Sequence, residues 1–364
     1  MNIASEPLVS VVTPVYNEEE YLAECIESVL QQTYQNWDYT IVDNCSTDGT
    51  VEVARRYALE DKRIRIVQNQ RFLDAIPNHN MALRQISPAS RYCKVVLGDD
   101  WIFPRCLEEM VAHAEAHPSV GIVAAYALEG ERVAWTGLLY PSDKMCGREI
   151  CRRHLLEDLY VFGTANAVLY RADLVRGREP FYNEGNIHAD TEVCFALLKT
   201  SDFGFVHQVL TFTRVRKVSL SSASENLQTG LPGMLHVLRK YGADYLTPEE
   251  LEGRLARHVG EYYRSLGKTA MLGCDKRFWE FHKREMAKAG VSYSRARVVK
   301  GAFQVFCDAL LNPKDTAGRF INRRHKLQSA GDTKDHGGES ETTAAGESRS
   351  DGKLPYKPSR VRVE

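Results

Sequence analysis

Strand-like and helix-like segments alternate through the first hundred residues of this chain, and this pattern restricts the fold more than any other feature. Apolar, β-branched runs at 8–13, 39–42, 64–67 and 95–97 are separated by segments whose apolar residues recur at helical spacing. Such alternation predicts a parallel sheet with helices on both faces, because each parallel connection needs a crossover helix. Open α/β sheets bind ligands at the carboxyl ends of their strands. The sequence therefore predicts an α/β fold with a nucleotide-like ligand at that edge.

Two adjacent carboxylates, Asp99 and Asp100, follow the fourth of these strand-like runs. Carboxylates at the end of a buried strand are costly unless a positive charge neutralises them. A hard divalent cation, Mn²⁺ or Mg²⁺, suits a site with few protein ligands and substrate phosphates. We therefore predict that Asp99 and Asp100 bind a metal ion. The alternative is that the pair only forms a turn or caps the helix expected near Pro104.

Composition restricts the class of protein. The 364 residues suit one large α/β domain with an appendage, and a net charge of -1 gives no reason to expect nucleic acid as a partner. Nine cysteines without CxxC spacing predict reduced thiols in a cytoplasmic protein. The first residues lack the pattern of a signal peptide. No apolar run approaches the roughly 18 residues of a membrane span.

Polar and aromatic residues follow the first two strand-like runs as well. Pro14 ends the first run and Tyr16 follows it, while Asp43 ends the second. Tyr16 offers a face for a base, and Asp43 could accept a hydrogen bond from a uracil imide or a ribose hydroxyl; the alternatives are a packed core aromatic and an Asx-turn. Glycine loops of the GxGxxG or GxxxxGK[ST] type are absent from the sequence, so a diphosphate here would need a metal ion.

Three motifs taken together resemble the family 2 glycosyltransferases of the GT-A fold. These are VVTPVYNE at 11–18, IVDNCSTDGT at 41–50 and LGDD at 97–100, and the resemblance covers about residues 7–220. It implies a Rossmann-like, mostly parallel sheet with helices on both faces. It also implies transfer of a sugar from a nucleotide donor, usually a UDP-sugar, with inversion at the anomeric carbon.

The resemblance also implies roles for individual residues. Pro14, Tyr16 and Asp43 would lie around the base and ribose of the donor, and Asn80 and Asp99 would also contact it. For Asn80 the alternative is an ordinary position on a helix surface. The family often has Asp-x-Asp-Asp, and here Leu97 takes the place of the first aspartate. That substitution leaves Asp99 as the first expected metal ligand and Asp100 as the second.

The segment HADTE at 188–192 lies where the family has Glu-Asp before a helix, so Asp190 is the expected general base. An inverting displacement needs one carboxylate to take the proton of the acceptor hydroxyl. The alternatives are that Asp190 caps the helix and that Glu192 is a first-turn acid favoured by the helix dipole. His188 is a rival base or an acceptor contact.

The segment 211–219 is a strand-like run that ends in cations. Arg216 stands where the family often has a histidine. Such cations could neutralise a leaving diphosphate. A solvated basic edge that prevents strand pairing is the alternative.

Beyond residue 220 the resemblance ends. We predict a glycosyltransferase domain over 1–220, a helical C-terminal region over 221–328 and a disordered tail over 329–364, which has almost nothing to bury. Basic stretches at 295–300 and 319–326 would suit peripheral contact with anionic lipid. Ordinary solvated helix faces explain the same charges more simply.

The sequence thus predicts a cytoplasmic, metal-dependent, inverting glycosyltransferase of polysaccharide or glycoconjugate synthesis, with a glycan or a lipid-linked acceptor. Two alternatives stay open. A catalytically inactive nucleotide-sugar-binding protein is conceivable because Leu97 and Ala189 replace acidic residues of the family pattern. A nucleotidyltransferase would need a basic, glycine-rich loop near the first strand, and residues 14–20 offer none.

Overall fold

A computed structural model of the chain describes residues 6–157, 159–216, 224 and 226–311. The predicted tail at 329–364 and the basic stretch at 319–326 lie outside the described residues. The strands are β1 (Val9–Val15), β2 (Trp37–Asp43), β3 (Ile64–Gln68), β4 (Tyr92–Val95), β5 (Trp101–Ile102), β6 (Val120–Glu129), β7 (Arg132–Ala134), β8 (Lys144–Met145), β9 (Val168–Arg171) and β10 (Asp202–Thr213). The helices are α1 (Leu22–Leu30), α2 (Thr50–Glu60), α3 (Ala75–Leu83), α4 (Cys106–Ala116), α5 (Gly147–Glu157), α6 (Ala172–Arg176), α7 (Ala189–Leu197), α8 (Gly230–Tyr245), α9 (Pro248–Leu272), α10 (Lys276–Lys288) and α11 (Arg295–Leu311).

The strands form one sheet in the order β3-β2-β1-β4-β9-β6-β10-β5, with β7 beside β6 and β8 beside β10. β3, β2, β1 and β4 are parallel to one another, and β6 is parallel to β10. β9 is antiparallel to both β4 and β6, so these two parallel blocks point the same way. The carboxyl ends of β1, β2, β4 and β10 therefore meet at one edge, which we call the strand-end edge. The predicted parallel sheet is confirmed, with β9 as an insertion that the alternating pattern did not indicate.

Two strand boundaries differ from those that the sequence predicts. β4 ends at Val95 instead of Leu97, because the chain turns there and Asp100 N donates to Leu97 O at 3.0 Å. β1 continues through Pro14 to Val15, so Pro14 is a buried strand residue and does not begin a loop. Pro14 lies beyond Val12, the last β1 residue paired with β4, and a proline is tolerated where the ladder on one side has ended.

Each face of the sheet buries its own apolar cluster, as expected for a sheet covered on both sides. Val9, Val11 and Val15 of β1 pack on the face that α1 and α4 cover. Val12, between them in the same strand, faces the opposite cluster, to which α5, α7 and α8 contribute. This alternation follows from the two-residue period of a strand, and it fixes which face each neighbouring side chain reaches.

Helices α8 to α10 follow the sheet and surround a third apolar cluster that includes Leu235, Tyr262 and Phe278. α9 begins with a capping box, in which Thr247 and Glu250 satisfy each other's backbone N–H groups. The described residues up to Val305 form one compact unit. Within the described ranges, every helix is too short or too polar to cross a membrane. The nine cysteines are free thiols.

Candidate active site

Two interlocked loops form part of the strand-end edge, one after β1 and one after β2. Asn17 Oδ1 accepts a hydrogen bond from Thr47 N at 2.8 Å, and Glu18 N donates to Thr50 Oγ1 at 2.7 Å. Asn17 and Cys45 adopt left-handed backbone conformations with φ of 53° and 61°. Asparagine tolerates this conformation better than most residues, so the first loop can turn sharply beneath the second.

Tyr16 follows β1 directly and lies at the strand-end edge. Its side chain is 44% exposed, and its ring contacts Phe72 edge to face, with the centroids 4.8 Å apart. The alternative of a packed core aromatic is therefore wrong. An exposed aromatic face at the carboxyl end of a parallel strand is available to a planar ligand, and the role of Tyr16 as a base contact stays a prediction.

Asp43 is the last residue of β2, and it is buried. Its carboxylate accepts a hydrogen bond from Ser46 N at 3.2 Å and lies 3.5 Å from Gln68 Nε2. The Asp43 side chain thus closes a local turn, but the bond reaches the N–H three residues on and not the second, as in the Asx-turn considered from the sequence. The contact with a donor nucleotide stays a prediction for Asp43, as it does for the buried Pro14 beside it in the sheet.

Asp99 and Asp100 lie in the turn after β4, on the strand-end edge. Asp100 Oδ1 accepts a hydrogen bond from Arg214 N at 2.9 Å, whereas Asp100 Oδ2 is buried and makes no hydrogen bond of ordinary geometry among the described residues, although the nearby Thr213 hydroxyl acts on the same carboxyl group. Burial and the charge of Asp99 raise the pKa of Asp100 to about 8. The alternative of a helix cap is wrong, because α4 begins only at Cys106 and its N-cap is Arg105.

Two further residues complete this group. Arg216 Nη1 donates to both carboxylate oxygens of Glu18, at 3.0 and 2.9 Å, and to Asp99 Oδ2 at 3.0 Å. Burial, followed by the charge of Asp99, raises the pKa of Glu18 to about 7, although Arg216 opposes the rise. We call Glu18, Asp99, Asp100 and Arg216 the acidic cluster.

The acidic cluster corrects the sequence interpretation in two ways. Glu18 was not predicted as a site residue, because nothing in the loop after β1 indicates that it reaches the turn after β4. Arg214 and Arg216 do not form a solvated basic edge: the side chain of Arg214 donates to Asp99 O at 3.0 Å and is paired with Glu24. Both arginines reach the acidic turn because the end of β10 pairs with β5, which directly follows Asp99 and Asp100.

The residues of the acidic cluster fit a hard divalent cation. The three acidic residues of the cluster supply carboxylate oxygens, which Mg²⁺ and Mn²⁺ prefer. The buried Asp100 Oδ2 lacks the positive partner that its burial calls for. Glu18 and Asp99 share the guanidinium of Arg216, and the guanidinium of Arg214, which is paired with Glu24, acts on Asp100 only through its charge. A cation bound by Asp99 and Asp100 would supply the missing charge, and Arg216 would then share Asp99 with it.

Asp190 lies in the first turn of α7. Its Oδ1 accepts a hydrogen bond from Thr191 N at 2.7 Å, and burial raises the pKa of its carboxyl group. The alternative that Asp190 is the N-cap of this helix is wrong, because the N-cap position of α7 is His188. A carboxylate with a raised pKa and one oxygen outside this local bond has the chemistry of a general base. That role stays a prediction.

Glu192, one residue beyond Thr191, lies in the first turn of α7, as the sequence suggested, and it is also buried. Its side chain is 1% exposed. Although burial alone would raise the pKa of this carboxyl group, the surrounding hydrogen bonds lower it far below its ordinary value. We call Glu192 and its donors the Glu192 cluster. The donors are Asn183 Nδ2 at 2.9 Å, Asn186 Nδ2 at 2.7 Å, His236 Nε2 at 3.1 Å, Lys240 Nζ at 2.6 Å and Tyr241 OH at 3.3 Å.

Two other predicted contacts have positions that limit their roles. His188 Nε2 is hydrogen-bonded to Thr229 Oγ1 at 2.9 Å, so this ring nitrogen connects the start of α7 to the start of α8. Asn80 is buried, which excludes the surface alternative. Its Nδ2 donates to Tyr182 O at 2.9 Å, and its Oδ1 accepts from Tyr182 N at 2.8 Å. Asn80 thus fastens α3 to the loop before α7, and a donor contact for it stays a prediction.

Comparison with known proteins finds a family that matches the segment containing the ends of β1, β2 and β4. Residues 10–176 match the model described as Glycosyl transferase family 2. This segment belongs to that family. The matched residues include Glu18, Asp43, Asp99 and Asp100, whereas Asp190 lies beyond them. The family membership expected from the sequence motifs is thereby confirmed.

Curated relatives of this family 2 segment match part of the chain. EpsE of Bacillus subtilis is 41% identical over 122 residues, which cover 33% of this chain and 42% of EpsE. TuaG of the same organism, named for teichuronic acid biosynthesis, is 39% identical over 95 residues, which cover 26% of this chain and 37% of TuaG. The chain therefore spans less than half the length of these relatives.

Solved structures extend the likeness beyond the family 2 segment. The crystal structure of Staphylococcus aureus TarS 1–349 in complex with UDP-GlcNAc has a TM-score of 0.60 and 16% sequence identity to this chain, and the likeness covers 80% of this chain and 88% of TarS 1–349. At this identity the likeness concerns the fold. The predicted α/β, GT-A-type fold with C-terminal helices is confirmed.

Proposed function

We propose that this protein is an inverting glycosyltransferase that transfers a sugar from a UDP-sugar to an acceptor hydroxyl. The observation that carries the proposal is the acidic cluster at the strand-end edge of a family 2 segment, with a buried Asp100 oxygen that makes no hydrogen bond of ordinary geometry among the described residues. Open α/β sheets bind their ligands at this edge. The crystal structure of TarS with UDP-GlcNAc, a protein of similar fold, supports the choice of a uridine nucleotide.

The donor would lie across the ends of β1, β2 and β4. Tyr16 offers its exposed ring to the base, and Asp43 lies at the end of the neighbouring strand. Asp99 and Asp100 would hold Mn²⁺ or Mg²⁺, with Glu18 as a further carboxylate beside them. When bound, this ion neutralises charge on the donor phosphates and on the departing nucleoside diphosphate.

Asp190 would act on the acceptor side. Its carboxylate takes the proton of the acceptor hydroxyl while that oxygen bonds to C1 of the sugar and the bond from C1 to the diphosphate breaks. A single displacement of this kind inverts the anomeric centre. The raised pKa of Asp190 supports this role, because a base is most effective when its pKa lies nearer the working pH.

The test measures turnover and binding separately. The full chain is incubated with UDP-sugars and Mn²⁺, released UDP is quantified, and the anomeric configuration of any product is read by NMR. Asp190→Asn should lower kcat by about 10²–10⁴-fold, because it removes the base. The rise in Tm caused by UDP-sugar should persist, because the donor site is intact.

Asp173→Asn provides the matched control, since Asp173 is paired with Arg171 at the surface and should not affect turnover. Full activity of Asp190→Asn would show that another group is the base. A wild-type chain that binds UDP-sugar, with a raised Tm, but releases no UDP with any acceptor would instead be a nucleotide-sugar-binding protein. Release of pyrophosphate on incubation with UTP and a sugar 1-phosphate, without release of UDP from UDP-sugars, would indicate a nucleotidyltransferase.

The acceptor, the location and the domain division belong to the same proposal. We propose a glycan or lipid-linked acceptor in polysaccharide synthesis, in keeping with the name of TuaG. The cytoplasmic location, peripheral contact of the basic residues 295–300 with anionic lipid, and a boundary near residue 220 stay predictions. Sedimentation of the chain with vesicles of anionic and of neutral lipid tests the membrane contact.

A further inference from the structure

We propose that His113, His117 and Asp143 form a binding site for a transition-metal ion of the zinc class, separate from the acidic cluster. His113 lies in the last turn of α4 and His117 follows directly after the helix, one turn further on. Asp143 comes from a different element, the segment immediately before β8. One ring nitrogen of each histidine and one carboxylate oxygen of Asp143 lie within 4.8 Å of one another.

The three side chains have no competing partners in the described part of the chain. None of them takes part in a hydrogen bond there, and His117 Nε2 lies 3.9 Å from Asp143 Oδ2, beyond hydrogen-bonding distance. His113 Nε2 is buried without a partner, an arrangement that costs free energy in a purely structural histidine.

The surrounding backbone holds the three residues together. Asp143 O accepts a hydrogen bond from Phe205 N at 2.7 Å, and β8 pairs with β10 at Gly204. Gly204 also leaves room for the imidazole, because a Cβ atom at this position would lie 2.5 Å from His113 Nε2. A glycine within a strand weakens it, and it commonly marks a place where another group approaches closely. The sheet therefore has a gap that His113 fills.

Two imidazole nitrogens and one carboxylate oxygen form a ligand set for Zn²⁺ or a similar first-row cation. Bonds of about 2.0–2.1 Å require the donor atoms to approach more closely than 4.8 Å. The side chain of Asp143 is 61% exposed, so it can rotate and bring its carboxylate closer to the two imidazoles. The fourth position would be filled by water.

This site would connect elements and would not serve the transfer reaction. Gly204 and Thr213 lie nine positions apart on β10, which is about 30 Å at about 3.3 Å per residue. The ion would thus lie near the opposite end of β10 from the acidic cluster. There it would join the end of α4 to the segment before β8 and stabilise the folded chain.

The experiment uses the full chain, freed of metal with a chelator and titrated with Zn²⁺ by calorimetry. An Asp99→Asn, Asp100→Asn background removes binding at the acidic cluster. In this background we expect one Zn²⁺ per chain and a rise in Tm with Zn²⁺. His117→Ala and Asp143→Ala should each weaken Zn²⁺ binding by more than about 100-fold, since loss of an outer-shell partner alone costs about 10–100-fold.

Glu115→Gln is the matched control, because Glu115 lies on the same helix and pairs with Arg91 instead of the histidines. It should bind Zn²⁺ as tightly as the background protein. Co²⁺ substitution gives a second readout, because a site with nitrogen ligands should show visible absorption that His117→Ala abolishes. Absence of Zn²⁺ binding in the background protein, or equal binding in His117→Ala, would overturn the proposal.

Discussion

The acidic cluster and the Glu192 cluster each contain a buried carboxylate, and they have opposite balances of charge and hydrogen bonds. Glu192 receives hydrogen bonds from five side chains, and the pKa of its carboxyl group falls far below the ordinary value. In the acidic cluster one oxygen of Asp100 makes no hydrogen bond of ordinary geometry among the described residues, and the pKa values of Asp100 and Glu18 rise.

The difference separates a structural role from a binding role. A buried carboxylate whose hydrogen bonds are all made holds its surroundings in place, and here it fixes the loop before α7 against α8. A group of carboxylates with too little positive charge is unfavourable in the folded chain until a cation binds, and such strain is common at functional sites. The carboxylates of the two clusters look alike in the sequence, and only the residues that surround them in the fold distinguish their roles.

Loss of Glu192 should have the largest effect on stability. Glu192→Ala removes the common acceptor of five donors, and breaking a buried charged network typically costs about 3–5 kcal/mol. Urea unfolding should therefore show a free energy of unfolding lower by about 3 kcal/mol. Glu252→Ala, at an exposed position of α9, is the control and should change stability by less than about 0.5 kcal/mol. Equal stabilities for the two variants would mean that the Glu192 cluster does not hold α7 and α8 together.

Loss of a carboxylate from the acidic cluster should have the opposite effect on stability. Asp100→Asn removes a buried charge while keeping an acceptor for Arg214 N, so the metal-free chain should gain up to about 1 kcal/mol at pH 8. The same variant should bind Mn²⁺ at least about tenfold more weakly, because it loses a ligand. Calorimetry with Mn²⁺ and urea unfolding measure the two effects. A destabilised Asp100→Asn with unchanged Mn²⁺ affinity would show that Asp100 is structural.

The two clusters should also respond to pH in opposite directions. Folding raises the pKa of Asp100 to about 8, so its contribution to stability is complete at low pH and is lost as the pH rises through 8. Folding lowers the pKa of Glu192, so its contribution is present at neutral pH and is lost as the pH falls below the ordinary glutamate value near 4.5.

Urea unfolding of metal-free protein from about pH 2 to pH 8.5 tests this pair of slopes. Asp100→Asn should flatten the alkaline decline, and Glu192→Ala should flatten the acid decline. Saturating Mn²⁺ should restore wild-type stability at pH 8.5, because the bound cation favours the ionised carboxylates. An alkaline decline that persists in Asp100→Asn would assign it to other groups.

The smallest expected effect concerns Arg216, which shares Asp99 with any bound cation. Arg216→Gln removes the competing guanidinium, so Mn²⁺ should bind about tenfold more tightly, or about 1.4 kcal/mol. Calorimetry measures this change, and Arg171→Gln, a surface arginine paired with Asp173, is the control. Weaker Mn²⁺ binding in Arg216→Gln would show that the arginine supports the metal site instead of competing with it.

The sequence predicted the parts of this molecule that depend on local patterns. Alternating strands and helices predicted the parallel sheet, and strand ends predicted where Asp99 and Asp100 would lie. The antiparallel position of β9 between β4 and β6 was not predicted, because it depends on long-range pairing that leaves no local pattern. Glu192 illustrates the same limit, because its role depends on partners from distant segments.

Glu18 and Arg216 show most clearly why the site could not be completed from the sequence. They lie 198 positions apart, and their ion pair exists because β10 returns to the same edge as β1. Likewise, Lys240 is 48 positions beyond Glu192. Motifs report which residue types are present, whereas the pairing of charges across the sheet depends on strand order, which no short motif encodes.

The hydrogen bonds between Asn80 and the backbone of Tyr182 have a consequence for changing acceptor specificity. They fasten the start of the loop before α7 to α3, while Asn183 and Asn186 fasten it to Glu192. A mutagenesis library aimed at new acceptors should therefore vary Glu184, Gly185 and Ile187, which are exposed between these anchors. Randomising the anchored asparagines would instead yield mostly misfolded clones.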